Sequence, residues 1–107
     1  MKYKLIELKK ENDLNRILRK QKREKGEISI LFTSLWDKYS KAMVGRIKSK
    51  YKNSDSGTPL YLVDSYNMPH SFVIFNSSRV PHLVTIQKNR VLSEEYLPLI
   101  YKLLELE

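Results

Sequence analysis

In the stretch FTSLWDKYSKAM, residues 32–43, Trp36 precedes Asp37, Lys38, Tyr39 and Ser40. A hydroxyl near a carboxylate is one part of a hydrolytic site, which also needs a base to take the hydroxyl proton. No base stands beside Ser40 in sequence. His82, in the later stretch SRVPHLV, would have to be brought there by the fold. An enzyme of unrecognised type would therefore rest on Asp37, Ser40 and His82. The plainer reading gives Asp37 and Ser40 to helix capping and to the favourable field of a helix N-terminus. His70 and His82 are the two imidazoles, and without a local acidic cluster two of them make a poor metal site. No metal and no cofactor are expected. There is no cysteine, which removes disulfides, zinc–thiolate sites, iron–sulfur clusters and thiol nucleophiles from this chain.

Charge offers a second kind of chemistry. The formal net charge is +8, concentrated in residues 9–25 and 37–52, each carrying net +5. Lys20, Lys22, Arg23, Lys25, Arg46, Lys48, Lys50 and Lys52 would be the groups to contact phosphate backbones. Seven tyrosines and Trp36 could supply stacking faces. Tyr39 and Tyr51, however, fall on the apolar stripe of a helix, and Tyr96 and Tyr101 flank another, so core or core-edge roles explain most of them.

The elements that must position these residues follow from periodicity and turn chemistry. Leu5, Ile6 and Leu8 give a short strand. Residues 10–26 read as a helix capped by Asn12 or Asp13 and stopped by Gly26, with a narrow stripe of Leu14, Ile17 and Leu18. Residues 27–33 form a continuous apolar run, the pattern of a strand covered on both faces. Ser34 is the expected N-cap of a second helix to about Lys52, with Trp36, Tyr39, Met43, Val44, Ile47 and Tyr51 facing the core. Turn residues 53–59 lead into a strand at 60–64. In MPHSFVIFN, Pro69 suits a first helical turn while Phe72, Val73, Ile74 and Phe75 would suit a strand equally; the segment is taken as a short helix. A strand at 80–87 with Pro81 near its start, a turn at KNRVL into a short strand, and a last helix capped by Ser93 complete the chain. Glu94 and Glu95 are placed in the first turn of that helix, with Leu97, Ile100, Leu103 and Leu104 on its buried stripe.

The order β-α-β-α-β-α-β-β-α implies an α/β three-layer sandwich around a central mixed sheet, as one domain over residues 1–107. No apolar run reaches the length of about 20 residues that a bilayer span needs. No secretory signal is visible at the N-terminus, and a cytoplasmic location is expected. The Lys-, Asn- and Tyr-rich composition suits an AT-rich phage or bacterial genome.

From about Glu27 onward the chain resembles the thioredoxin-like family, and the preceding strand and helix fit the same pattern. The residues that carry the resemblance are Trp36 ahead of a helix, with Asp37, Lys38, Tyr39 and Ser40 at the four Cys-x-x-Cys positions, and RVPH, where Pro81 matches the family's cis-proline. The family's kink proline corresponds to Gly45. Its buried acid corresponds to Leu31, in keeping with the absence of a thiol to serve. Another small α/β or α+β domain with this element order is the alternative.

The resemblance implies a redox-inactive domain that keeps the family's docking face. On that reading the chain is a protein-binding or adaptor module, using Trp36, Asp37, Lys38, Tyr39, Ser40, Val80, Pro81 and His82, with an extended partner pairing to the backbone of Val80. The alternative is a small basic nucleic-acid-associated protein using the eight Lys and Arg residues named above. In a thioredoxin-like arrangement the two basic helices cover opposite faces of the sheet, which works against a single DNA groove.

Overall fold

The computed structural model describes residues 2–106. Its elements are β1 (Tyr3–Glu7), α1 (Glu11–Gln21), β2 (Glu27–Thr33), α2 (Lys38–Tyr51), β3 (Thr58–Asp64), α3 (Pro69–Ile74), β4 (His82–Gln87), β5 (Arg90–Glu95) and α4 (Leu99–Leu103). The strands form one sheet in the order β1-β3-β2-β4-β5. The β1–β3 and β3–β2 pairs are parallel, and β2–β4 and β4–β5 are antiparallel. This is the expected element order and the expected mixed sheet.

Alternation along β2 explains why a continuous apolar run sits at the centre. Ile28, Ile30 and Phe32 join Leu14 of α1, Met68, Val84 and Ile86 in one core. Leu31 points the other way, into a second core with Met43, Ile47 and Tyr51 of α2 and Ile100 and Leu104 of α4. Helices α1 and α2 therefore cover opposite faces, and their basic surfaces do not merge. Leu31, fully buried, occupies the place of the family's acid as an ordinary core residue.

Several boundaries differ from the sequence reading. Helix α1 begins at Glu11, with Lys10 as N-cap, and Asp13 sits in its first turn instead of capping it. It ends at Gln21, well before Gly26, because residues 22–26 are all exposed and offer nothing to bury. Ser34 does not cap α2; its Oγ accepts the Trp36 N–H in a local turn, and Asp37 is the cap. The strand expected at 60–64 starts two residues earlier, at Thr58, and the strand expected from Val80 starts at His82. Trp36 and Tyr39 do not face the core, being 73% and 55% exposed. Ser93, Glu94 and Glu95 lie in the edge strand β5 rather than at a helix start. Helix α4 starts at Leu99, and Leu103 is on its outer side.

Two helices end in the same manner. After α3, Asn76 adopts φ 52°, its N–H bonds Val73 O, and Ser77 N–H bonds Phe72 O. After α4, Glu105 adopts φ 56°, with Glu105 N–H on Lys102 O and Leu106 N–H on Tyr101 O. The start of α3 has no side-chain cap from its own flank. Instead the Glu11 carboxylate reaches over from α1, accepting the N–H groups of His70 (2.6 Å) and Ser71 (3.1 Å) and the Ser71 hydroxyl (2.5 Å).

Candidate functional site

All the candidate residues of the helix mouth and the proline turn lie at one end of the sheet. The last β2–β4 pair at this end is Phe32↔His82, so residues 33–37 leave where residues 79–81 arrive. Because β3 is parallel to β2, the turn at residues 65–67 leaves at this end too. Asp64 ties these connections together: Oδ1 accepts the Leu35 N–H at 3.0 Å, while Oδ2 accepts those of Tyr66 at 2.9 Å and Asn67 at 3.3 Å. Ser65 N–H bonds Thr33 O alongside. Nothing local in the sequence marks Asp64 for this role, since the loop it organises begins 29 residues upstream.

The result is an exposed aromatic ledge. Trp36 stands edge-on to Tyr66, ring centroids 5.4 Å apart, and Leu35, Tyr39 and Tyr66 are also exposed. Asp37 spends Oδ2 on the Ser40 N–H at 2.8 Å, the capping role expected for it. Lys38 lies over the Tyr39 ring at 5.2 Å. Ser40, by contrast, is buried, and its Oγ has no hydrogen-bond partner among the described residues. It is withdrawn from the face it was expected to share, and no base among the described residues is hydrogen-bonded to it.

On the other side of β2, the Val80–Pro81 peptide is cis, the conformation that the resemblance implies at this turn. Val80 is half-buried, and its N–H and C=O make no hydrogen bond among the described residues. Pro81 and His82 are buried, so neither side chain is presented outward.

His82 is instead the centre of a polar cluster inside the fold. Its ring is sandwiched between Tyr96, centroids 4.7 Å apart and nearly parallel, and Phe32 at 5.7 Å. Arg79 covers the outer face of Tyr96 at 4.3 Å. Nδ1 lies 2.8 Å from Ser77 Oγ, and Nε2 lies 3.1 Å from Glu94 Oε1. Burial holds the imidazole below its ordinary pKa, against the upward pull of the Glu94 carboxylate. With both nitrogens engaged, His82 has none left for a metal, and His70 stands exposed at the start of α3. No cluster of three metal-ligating side chains occurs among the described residues. Ser77 and Glu94 escaped the sequence reading, because they join His82 only once the β4–β5 hairpin sets Glu94 opposite Val84, on the face His82 shares.

Of the basic residues proposed for nucleic acid, Lys20 pairs with Glu24, Lys48 with Glu7 and Lys50 with Glu105. Arg46 donates to Leu106 O and covers Tyr101. Lys22, Arg23 and Lys25 lie in the exposed segment after α1, away from the α2 set on the opposite face.

Among solved structures the chain is similar to reduced Schistosoma mansoni thioredoxin pre-protein, with a TM-score of 0.73 at 19% identity, covering 95% of this chain and 96% of that one. It is similar also to a thioredoxin from Nicotiana alata, with a TM-score of 0.72 at 13% identity over 98% and 94% of the two chains. The germline-specific thioredoxin Deadhead of Drosophila gives 0.68 at 18% identity, over 85% of each chain. No family model matches the sequence, and no curated protein matches it. The chain has the thioredoxin fold, and with no cysteine it carries that fold without the thiols of the motif.

Proposed function

We propose that this chain is a redox-inactive thioredoxin-like module that binds an extended segment of a protein partner. Thiol–disulfide exchange requires a thiolate, and this chain has none to offer. The observation that carries the reading is the ledge of Trp36, Tyr39 and Tyr66, exposed at the same sheet end as the unpaired backbone of Val80. Rigid aromatics supply contact area at low entropic cost, and a free backbone edge accepts a strand.

The charge around the ledge narrows the partner's chemistry. Both acids of the site are occupied by backbone amides, Asp37 at the helix mouth and Asp64 at the loop junction. Lys38, Lys41 and Arg79 form no ion pair among the described residues. An extended segment with an apolar or aromatic residue flanked by acids complements this surface.

The test is selection from a randomised peptide library, followed by titration of the chosen peptides against wild type, Trp36→Ala and Tyr66→Ala. The expected winners are acidic with a bulky apolar residue, and Trp36→Ala weakens them about tenfold or more, as truncating an interface anchor does. Affinity indifferent to both substitutions would sink the proposal. So would binding to duplex DNA that falls steeply with salt and responds to Lys22→Ala and Lys25→Ala but not to Trp36→Ala.

A further inference from the structure

We infer that Ser77 is an activated nucleophile, with His82 as its base and Glu94 as the positioning residue, able to react with short, uncharged acyl esters. The geometry has the parts in working order. Glu94 offers only acceptor oxygens as a carboxylate, so Nε2 carries the imidazole proton; Nδ1 then accepts from the Ser77 hydroxyl. A hydroxyl donating to a neutral imidazole that is oriented by a carboxylate is the arrangement that raises serine nucleophilicity. Stacking between Phe32 and Tyr96 fixes the plane of the ring. Burial favours the neutral form of the base at neutral pH.

Ser77 is largely buried, 8% exposed. Ser77 lines a shallow, open depression of about 280 Å³ shared with Phe72, Val73, Asn76 and Ser78. Its apolar wall of Phe72 and Val73 suits a short acyl chain. The N–H groups of Ser78 and Arg79, next in sequence, make no hydrogen bond among the described residues. The amide following a nucleophile is a usual donor to a developing oxyanion. The closure after α3 fixes Ser77 in this place, since its own N–H is held by Phe72 O at 2.7 Å.

In the step itself, Ser77 Oγ forms a bond to the carbonyl carbon and its proton passes to His82 Nδ1. The resulting imidazolium is balanced by Glu94 at Nε2. Collapse of the tetrahedral species breaks the ester C–O bond, and the alcohol leaves with the proton from His82. Water then hydrolyses the acyl-serine to the carboxylic acid and restores the hydroxyl.

The probe is diisopropyl fluorophosphate, which exchanges its fluoride for the serine oxygen, read by intact mass and peptide mapping. The expected result is one adduct, at Ser77, forming faster at pH 8 than at pH 5. Arg79, which disfavours the imidazolium, and Glu94, which favours it, are the charged groups that set where that rise falls. Glu94→Gln, on an exposed side chain, should fold normally and label at least tenfold more slowly with an altered pH profile. Stoichiometric release of p-nitrophenolate from p-nitrophenyl acetate, absent in Ser77→Ala, would add support. No adduct on the folded wild type, an adduct elsewhere, or Ser77 labelling at the same rate and pH profile in Glu94→Gln would overturn the assignment.

Discussion

The helix mouth at residues 34–40 and the turn at residues 76–82 lie at the same end of one sheet and have opposite designs. At the helix mouth the large aromatics point outward and the hydroxyl of Ser40 is buried without a partner among the described residues. In the turn the imidazole of His82 is packed inward against Phe32 and Tyr96, and the hydroxyl of Ser77 is hydrogen-bonded. The first region leaves apolar surface exposed; the second holds polar groups that satisfy one another. The docking surface proposed above and the reactive hydroxyl inferred above would thus be carried at the ends of two neighbouring strands, β2 and β4.

The largest effect that would break this contrast is expected at His82. Removing it in His82→Ala empties the space between Phe32 and Tyr96 and orphans Ser77, so a loss of about 3 kcal/mol in denaturant unfolding is expected, as for other large-to-small buried changes. The same residue gives the fold a pH dependence. Its folded pKa is lowered, so the unfolded chain binds the proton more readily and acid favours unfolding. The contribution is fully present above the ordinary imidazole value of about 6.5 and is lost as pH falls from there toward the folded value. Thermal melts should show a lower midpoint at pH 5 than at pH 7.5, with a shallower dependence in His82→Ala; parallel profiles would contradict the role given to this ring.

A smaller pair of effects has opposite signs within one helical turn. Asp37→Ala removes the α2 cap and should cost about 1 kcal/mol. Ser40→Ala removes a buried hydroxyl that has no partner among the described residues and should stabilise by up to about 1 kcal/mol. Equal losses in both would show that Ser40 Oγ is satisfied after all. The smallest effect is expected at Trp36, whose side chain is 73% exposed: Trp36→Ala should shift stability by no more than about 0.5 kcal/mol while abolishing most peptide affinity.

How far the sequence anticipated this molecule depends on the range of the interaction concerned. The β2 strand is legible because Ile28, Ile30, Leu31 and Phe32 fall on both of its faces, and Met43, Ile47 and Tyr51 declare the inner face of α2 by their spacing. Ser93, Glu94 and Glu95 misled because a serine followed by acids looks like a helix start, whereas pairing of Ser93 with Thr85 drew them into an edge strand. Trp36 and Tyr39 kept the helical spacing of core residues, yet Trp36 precedes the first turn and Tyr39 falls on its outer side. On the site, the resemblance singles out Trp36, Asp37 and Pro81, of which Trp36 is exposed and Pro81 is buried. The Ser77–His82–Glu94 cluster is not singled out, since its spacings of five and twelve residues match no local motif and close only through the hairpin.

Glu11 gives α3 a dependence that its own sequence conceals. Six residues are too few to hold a helix unaided, and the donors at its start are satisfied by a carboxylate some sixty positions upstream. A peptide of residues 67–79 taken out of the protein should therefore be a coil. In the intact chain the first helix thus supplies the acceptor that the third helix lacks, and the turn that carries Ser77 follows directly from that helix's far end.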